Sequence, residues 1–350
     1  MSFDEILFYA FFGGALLAVS AFLTWVLMKR VRIIDTPNER SSHTRPTPRS
    51  GGIAIVVTFF IGLVAMGVLD DDPVLRAGYF WAFCASAFAI AALSIFDDLH
   101  GLSFKTKLAL QVVCAGGVMA MGVTADQVHI PVLGAWEFGW FAYPITLVWI
   151  IGLTNAFNFM DGIDGIAGGT AVVASGFFAY IMMDGGSDYL HHIVWIVLWA
   201  SLGFLLWNWQ PAKIFMGDSG SQFLGFILAV FAILAGQFDQ SQVPYVVMPL
   251  LFFHYMWDTV YTFIRRYRAG ENVTEAHRSH LYQLMNRLGL SHAKVTSIYL
   301  AIGVLQGGAA IILVGLAPEW QLTVFVPFIV LQLILTRMTV TRARAQGLIA

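Results

Sequence analysis

Charged residues are scarce in this chain, and their scarcity excludes an ordinary soluble fold. Only 11% of the 350 residues are charged and 58% are hydrophobic, whereas soluble proteins average roughly 25% charged and 45–50% apolar residues. The 19 basic and 21 acidic side chains cannot cover a soluble protein of this length. The net charge of −2 also excludes general attraction to nucleic acid. The composition predicts a polytopic membrane protein with the lipid bilayer as its partner.

Cysteine is equally scarce, which excludes a disulfide framework or a thiolate metal site. Cys84 and Cys114 both lie inside apolar runs, and neither belongs to a CxxC motif. We expect both to be small buried hydrophobes. We do not expect the first apolar segment to be a cleavable signal peptide, because Asp4 and Glu5 precede it and its basic residues follow it.

Eleven apolar segments are candidates for membrane-spanning helices, each of which needs about 20 residues. Several are near 15 residues, so tilting or partial embedding is expected. The segments are 5–28, 52–69, 78–96, 106–122, 143–159, 167–183, 191–206, 222–235, 243–263, 295–316 and 321–340. The fold class predicted is therefore an all-α membrane protein of about 11 helices forming one domain, residues 1–350.

Basic residues fix the predicted orientation. If the N-terminus lies outside and the C-terminus in the cytoplasm, 18 of the 19 Lys and Arg residues fall on the inner side and only Arg76 falls outside. The outer loops are short and acidic except for 123–142, where alternating residues around Gly134 predict a small β-hairpin. The outer histidines, His129, His191 and His192, are expected at the surface.

Polar residues concentrate in five inner segments, 29–51, 97–107, 155–166, 207–220 and 264–294. In the second, adjacent carboxylates at Asp97 and Asp98 are costly at a membrane boundary unless a cation is near. A solvated helix end is the alternative interpretation. Lys107 and Gln111 follow one turn into the next span and point back toward the same boundary.

The third segment gathers amides and carboxylates among glycines. Asn155 and Asn158 are three residues apart, as are Asp161 and Asp164, so each pair shares a face. The glycines allow close approach of backbone to a phosphate or nucleotide. The D-x-x-D-G string lacks the other ligands of a calcium loop, which argues against an EF-hand.

The remaining inner segments carry candidate ligands for metal and phosphate. Asp218 opens the eighth span, where a hard oxygen ligand backed by helix N–H groups suits magnesium; a helix cap by Asp218 or Ser219 is a compatible alternative. Arg278 and His280 lie far enough past a span to indicate phosphate contacts. Asp258, near the inner end of the ninth span, needs a partner or water.

The first inner loop, 35–52, is stiffened by prolines. It is either a basic flank or, as we prefer, one wall of a pocket for an anionic ligand, with Arg45 and Arg49 in it. The cluster Arg265–Arg268 is interpreted as an ordinary basic flank.

Together these segments resemble the polyprenyl-phosphate N-acetylhexosamine-1-phosphate transferases, which include phospho-MurNAc-pentapeptide translocase and the enzymes that initiate O-antigen synthesis. The motifs are D-D followed by K-x-x-x-Q, N-x-x-N-F-x-D-G-x-x-G and F-x-G-D-[ST]-G-S, and they extend over nearly the whole chain. The pattern D-x-P-N-x-R-x-x-H in the first loop is closest to the O-antigen branch. The resemblance implies Mg²⁺-dependent transfer (Mn²⁺ as an alternative) of a sugar 1-phosphate from a UDP-sugar to undecaprenyl phosphate, releasing UMP.

The resemblance also implies roles for individual residues. Asp218 would be the chief metal ligand with Asn158 beside it, and Phe215 would stack on uracil while Asp164 bonds the uracil edge. Asp97 would hold the proton of the lipid phosphate with support from Asp98. The implied catalytic set is Asp97, Asp98, Lys107, Arg278 and His280, and the implied substrate-binding set is Asn155, Asp161, Asp164, Phe215, Arg45, Arg49 and Gln111.

One departure from the family concerns the basic loop. Many relatives have a denser histidine cluster where this chain has His280-Leu281-Tyr282-Gln283, so a second catalytic histidine is not expected. The sugar (GlcNAc, GalNAc or a 6-deoxy-N-acetylhexosamine) is left open, and a homodimer is compatible with the family. The bacterial inner membrane, with the active site on the cytoplasmic face, is the expected location. The alternative of an ion or lipid-carrier transporter predicts charges near span centres.

Overall fold

The computed structural model describes residues 3–31, 33–37, 45–69, 72–130, 133–273, 275 and 277–349. The α-helices are α1 Phe3–Arg30, α2 Gly52–Leu69, α3 Gly78–His100, α4 Phe104–Met119, α5 Ala142–Phe159, α6 Ile166–Asp184, α7 Leu190–Asn208, α8 Asp218–Gln237, α9 Val247–Leu251, α10 Phe253–Arg268, α11 Leu281–Arg287, α12 His292–Val314 and α13 Val326–Ala345. Within these ranges the remaining regular structure is three 3₁₀ segments and two antiparallel pairs, β1 Ile34–Asp35 with β2 Thr47–Pro48 and β3 Gln127–Ile130 with β4 Gly134–Glu137. The all-α prediction is confirmed.

Nine helical segments within the described ranges are long and apolar enough to cross a membrane. Each coincides with one of the predicted spans. The other two predicted spans correspond to α4, which has 16 residues, and to α9 with α10, which are separated at Phe252. Eleven crossings and the N-out orientation stay predictions.

Helix α8 forms the centre of the bundle. It packs against α2, α3 and α5, and 94% of the residues in its apolar 18-residue stretch are buried inside the protein. In α1, by contrast, only 17% of the residues in the corresponding apolar stretch are buried. A helix that is apolar on all sides is stable only when other helices or lipid surround it. Protein surrounds α8 along its length, so its first residue is held in a fixed place.

The first inner loop is joined to the start of α8 by backbone hydrogen bonds. Phe215 donates to the carbonyl of Pro48 (N···O 2.7 Å), and Gly51 and Gly52 donate to Phe215 and Met216 (2.9 and 2.8 Å). Gly52 and Gly220 approach so closely that a Cβ on either would overlap the other's backbone. Glycines at these two positions therefore allow the N-termini of α2 and α8 to meet.

The predicted hairpin is confirmed by the antiparallel pairing of β3 with β4. Val128 pairs with Trp136 and Ile130 with Gly134, so Gly134 is the first residue of β4. At the same end of the bundle, Gln237 at the end of α8 donates to Asp126 (Nε2···Oδ2 2.9 Å). The hairpin therefore lies at the opposite end of α8 from Asp218.

Two predictions about single residue types have different outcomes. Cys84 is partly buried, Cys114 is buried, and both are free thiols, as expected. The expectation that His191 is a surface residue is wrong, because its side chain is buried. Tyr9 of α1 covers it, with the hydroxyl oxygen 2.7 Å from Nε2 of His191 and 2.8 Å from Nε2 of His192.

Candidate active site

Three helix ends meet around the amine of Lys107. The last turn of α3 contributes Asp97 and Asp98, the first turn of α4 contributes Lys107, and α8 begins at Asp218. Lys107 Nζ forms an ion pair with Asp97 Oδ2 and a second one with Asp218 Oδ2 at 2.8 Å. Asp97 is buried, whereas Lys107 and Asp218 keep about a quarter of their side-chain surface exposed (27% and 28%). The motif residues of two distant segments are thus brought together at an accessible point.

Asp218 is held by two amides as well as by Lys107. Asn158, at the end of α5, donates to Oδ1 (Nδ2···O 3.1 Å), and Gln222 donates to Oδ2 (Nε2···O 3.0 Å). Gln222 is absent from the predicted site. Its spacing of four residues from Asp218 places both on one face of α8 and is the signal that could have identified it.

A chain of buried and half-buried amides connects Gln222 to α4 and α5. Asn155 donates to Gln111 (Nδ2···Oε1 2.7 Å), and Gln111 donates to Gln222 (Nε2···Oε1 3.1 Å). Asn155 and Gln111 were predicted to bind substrate. The structure places them in this chain behind Asp218, where their contacts orient a carboxylate.

Asp98 caps helix α8 from outside it. Its two oxygens accept hydrogen bonds from the backbone N–H groups of Asp218 (3.1 Å) and Ser219 (2.9 Å). Gly217 has φ +74°, and a Cβ there would lie 2.8 Å from Asp98 Oδ2, so this close contact requires glycine. No side chain of α8 caps its own N-terminus, so the alternative of a cap by Asp218 or Ser219 is wrong.

The two arginines of the first loop occupy different environments. Arg49 is half-buried and donates to the carbonyl of Asp98 (Nη2···O 2.8 Å), which anchors the end of α3. Arg45 is exposed. The middle of this motif, residues 38–44, lies outside the described residues. Contact of either arginine with a substrate stays a prediction.

Asp161, in the loop between α5 and α6, is a half-buried carboxyl group without a hydrogen bond or ion pair to any described residue. Burial, together with the negative charges of Asp218, Asp98 and Asp164, raises its pKa to about 8. With Asp97 included, five carboxyl groups therefore lie near one another, and Lys107 is the cation paired with two of them, Asp97 and Asp218. This excess of negative charge is an electrostatic environment that favours an added cation.

Asp164, three residues later, has protein partners. Oδ2 accepts a hydrogen bond from Ala212 N (3.0 Å), and Oδ1 lies 3.1 Å from His292 Nδ1. Phe215 is half-buried beside the first loop. Stacking of Phe215 on uracil and bonding of Asp164 to the uracil edge stay predictions.

A second cluster lies next to the first, at the start of α11. The ring of His280 stacks against Phe159 with ring centroids 6.0 Å apart, and the hydroxyl of Tyr282 donates to the carbonyl of Phe159 (3.0 Å). Phe159 follows Asn158 directly, so the two clusters share the end of α5. His280 Nδ1 lies 3.1 Å from Asp258 Oδ1, which supplies the partner that the sequence requires for Asp258.

The neighbours of His280 differ in charge. Burial, followed by the charges of His280, Arg266 and Arg265, lowers the pKa of His277 to about 3, so His277 is neutral at physiological pH. Arg278 is half-buried, and its guanidinium makes no hydrogen bond or ion pair with any described residue. A cationic side chain is therefore available near His280 for an anionic ligand.

The arrangement fits a hydrated magnesium ion. Carboxylate and amide oxygens from Asp218 and Asn158 are hard ligands, and the unpaired Asp161 lies close enough to interact electrostatically with Asp218. Within the described ranges, no three His, Cys, Asp or Glu side chains are grouped closely enough to enclose an ion. An ion here would complete its shell with water or substrate oxygens, as Mg²⁺ commonly does.

Comparison with known proteins gives a family match over the central part of the chain and several similar proteins. Residues 80–236, which include Asp97, Lys107, Asn158 and Asp218, match the family described as Glycosyl transferase family 4. The chain is 33% identical over 311 residues to the probable undecaprenyl-phosphate N-acetylglucosaminyl 1-phosphate transferase of Bacillus subtilis (strain 168), covering 87% of this chain and 84% of that protein. It is 33% identical over 314 residues to the decaprenyl-phosphate N-acetylglucosaminephosphotransferase of Mycobacterium tuberculosis (strain ATCC 25618 / H37Rv), covering 81% and 77%. A phospho-N-acetylmuramoyl-pentapeptide-transferase of Halalkalibacterium halodurans is 34% identical over 203 residues, covering 55% of this chain and 62% of that protein.

Proposed function

Because this chain belongs to the polyprenyl-phosphate N-acetylhexosamine-1-phosphate transferases of glycosyl transferase family 4, we propose that it uses a UDP-sugar as donor and undecaprenyl phosphate as acceptor. It is a multi-pass membrane phosphoglycosyltransferase that transfers an N-acetylhexosamine 1-phosphate to a polyprenyl phosphate. The products proposed are undecaprenyl-diphospho-sugar and UMP. The proposed role is the initiating step of an O-antigen-like envelope polysaccharide.

The single observation that carries the proposal is the position of Lys107 between Asp97 and Asp218, at a point where helix ends meet and side chains are partly exposed. A lipid phosphate reaches a membrane enzyme at headgroup depth, and a nucleotide reaches it from water. A charged, accessible site at the ends of apolar helices suits both substrates. The transporter alternative predicted charges near span centres, whereas these charges lie in terminal turns.

The reaction brings two anions together. An oxygen of the lipid phosphate forms a bond to the β-phosphorus of the UDP-sugar, and the bond from that phosphorus to the bridging oxygen of UMP breaks. The barrier is chiefly electrostatic, so cationic side chains lower it by neutralising charge and fixing geometry. Lys107 and Arg278 supply positive charge, Asp97 holds the proton of the lipid phosphate, and His280 hydrogen-bonds a phosphate oxygen.

Magnesium is proposed as the cofactor, with Asp218 and Asn158 as the residues that would hold it and Mn²⁺ as a substitute. When bound, the ion would neutralise pyrophosphate charge and polarise the phosphoryl oxygens. The amide chain through Gln111 and Gln222 keeps the carboxylate of Asp218 oriented toward Lys107 and Asn158. We place the site on the cytoplasmic face of the bacterial inner membrane, because basic residues concentrate on that side.

The test is UMP release by the purified protein in detergent. We expect release only when a UDP-N-acetylhexosamine, undecaprenyl phosphate and Mg²⁺ are all present, and a panel of UDP-sugars would identify the donor. Asp218→Ala and Asp97→Ala should abolish turnover with the thermal transition preserved. Asp184→Asn, at an exposed position at the end of α6, is the matched control and should keep full activity.

Wild-type activity in either alanine variant would overturn the site assignment. Transport of substrate into liposomes without any UMP release would overturn the proposed reaction and favour a transporter.

A further inference from the structure

Asp258 of α10 is a fully buried carboxylate with an unusual number of donors around it; only 1% of its surface is exposed. Oδ1 accepts from Leu281 N (2.8 Å) and lies 3.1 Å from His280 Nδ1. Oδ2 accepts from Tyr282 N (3.1 Å) and from the Tyr299 hydroxyl (2.8 Å). Thr262, one turn later in α10, donates to Oδ1 as well (3.2 Å).

Two of these bonds are a helix cap, and the cap alone would explain a buried acid at this place. The N–H groups of Leu281 and Tyr282 open α11, and a carboxylate stabilises such groups. The contact with His280 is additional to the cap. His280 is the residue immediately before α11, so one carboxylate fixes both the start of the helix and the imidazole that precedes it.

The contact with Asp258 determines which ring nitrogen of His280 remains available. A carboxylate accepts hydrogen bonds, so Nδ1 must be protonated in order to donate one to Asp258. The ring is also held between Phe159 and His277, with centroid distances of 6.0 and 4.9 Å. Nε2 is the nitrogen left for a ligand, and it makes no hydrogen bond to any described residue.

We propose that Asp258 is a positioning residue for the transfer reaction, which keeps a proton on Nδ1 of His280 and orients the ring so that Nε2 meets the phosphate groups of the substrates. Because an ionised phosphate oxygen only accepts hydrogen bonds, Nε2 bonds it as the N–H of the imidazolium. The proposal rests on the proposed function, because it needs His280 to act on a phosphorylated substrate. A carboxylate behind an imidazole commonly sets the tautomer in this way. A purely structural cap requires no relation between Asp258 and turnover by His280.

The kinetic test is a double-mutant cycle on UMP release, with rates expressed per folded molecule. Asp258→Asn and His280→Ala should each lower kcat by about 100-fold, the scale of a lost positioned acid–base or hydrogen-bonding group. If Asp258 acts through His280, adding Asp258→Asn to His280→Ala should leave kcat unchanged, since residues that act as a unit are not additive. Tyr299→Phe is the matched control, because it removes one hydrogen bond to Asp258 and leaves the His280 contact intact.

The outcomes separate the two proposals. A wild-type protein that releases no UMP overturns the proposed function. If the wild-type protein releases UMP but Asp258→Asn lowers kcat further in the His280→Ala background, by the same factor as in the wild type, only the positioning role is overturned. Near-wild-type kcat in Asp258→Asn also overturns it.

Asparagine at position 258 turns an amide N–H₂ toward backbone N–H donors, so the Asp258→Asn variant is expected to be less stable. A second measurement therefore tests the proposal on the wild-type protein. ¹⁵N spectra of histidine-labelled wild-type protein, with the His280 signals assigned through their loss in His280→Ala, should show a proton on Nδ1. An unprotonated Nδ1 in the wild-type protein would overturn the proposal whatever the variants do.

Discussion

Replacing Asp161, an ionisable side chain of the candidate site, is predicted to make the protein more stable rather than less. The carboxyl group has no hydrogen-bonding partner among the described residues, and burial with three neighbouring carboxylates raises its pKa to about 8. In the unfolded chain the value is about 3.9. The folded state therefore binds a proton that the unfolded state has released, and stability falls as the pH rises from about 4 to about 8.

The size of the effect follows from the difference in pKa. Each unit corresponds to about 1.4 kcal/mol, so keeping Asp161 in the folded protein costs about 1.5 kcal/mol at pH 5 and about 4 kcal/mol at pH 7. Asparagine keeps the shape of the side chain and removes this cost. We expect Asp161→Asn to raise the melting temperature by several degrees at pH 8, and by much less at pH 5.

The assay is thermal unfolding of purified protein in detergent with EDTA, followed at pH 5, 7 and 8. Asp164→Asn is the matched control in the same loop, because Asp164 accepts a hydrogen bond from Ala212 and lies beside His292. Its loss should lower stability by about 1–3 kcal/mol. A gain from Asp161→Asn that does not change with pH, or no gain at pH 8, would refute the electrostatic reasoning.

Two further predictions concern the side chain of Lys107 and the orientation of the chain in the membrane. Lys107→Met should lower kcat/KM for UMP release by at least about 100-fold, because it removes the positive charge between two carboxylates. Lys105→Met, at an exposed position one half-turn earlier, is the control and should leave kcat/KM unchanged. Equal effects of the two substitutions would contradict the role of Lys107. In a background without native cysteines, an impermeant maleimide should label Leu133→Cys in intact cells and Glu271→Cys only in opened membranes. Both positions are exposed, so the reverse pattern would mean that the orientation is inverted.

Hydropathy predicts the middle of each helix better than its ends. The predicted span 52–69 coincides with α2, whose flanks are polar or glycine-rich. The predicted span 222–235 is shorter than α8, which begins at Asp218, because the first turn is polar and is held by partners from other helices. The predicted span 243–263 contains Pro244 and Pro249 and is divided at Phe252, a break that hydropathy alone does not predict.

Motifs predicted which site residues come together, and tertiary contacts decided what each one does. Lys107 and Asp218 are 111 residues apart in sequence, yet their short motifs sufficed to predict one site. Gln222 is not predicted from the sequence, because its role depends on a hydrogen bond with Gln111, which is also 111 residues away in sequence. His191 was misjudged for the same reason, since Tyr9 of a remote helix covers it.

The cap on α8 changes the physical account of anion binding at this site. A helix N-terminus commonly binds phosphate through its free N–H groups, and the sequence predicts at Asp218 a magnesium ligand backed by such groups. Here the N–H groups of Asp218 and Ser219 already donate to Asp98, so they are not available to a phosphate. Positive charge for the substrates therefore comes from side chains, above all Lys107, and from the proposed magnesium ion rather than from the helix N-terminus. Asp98 serves the site by fixing the backbone from which Asp218 projects.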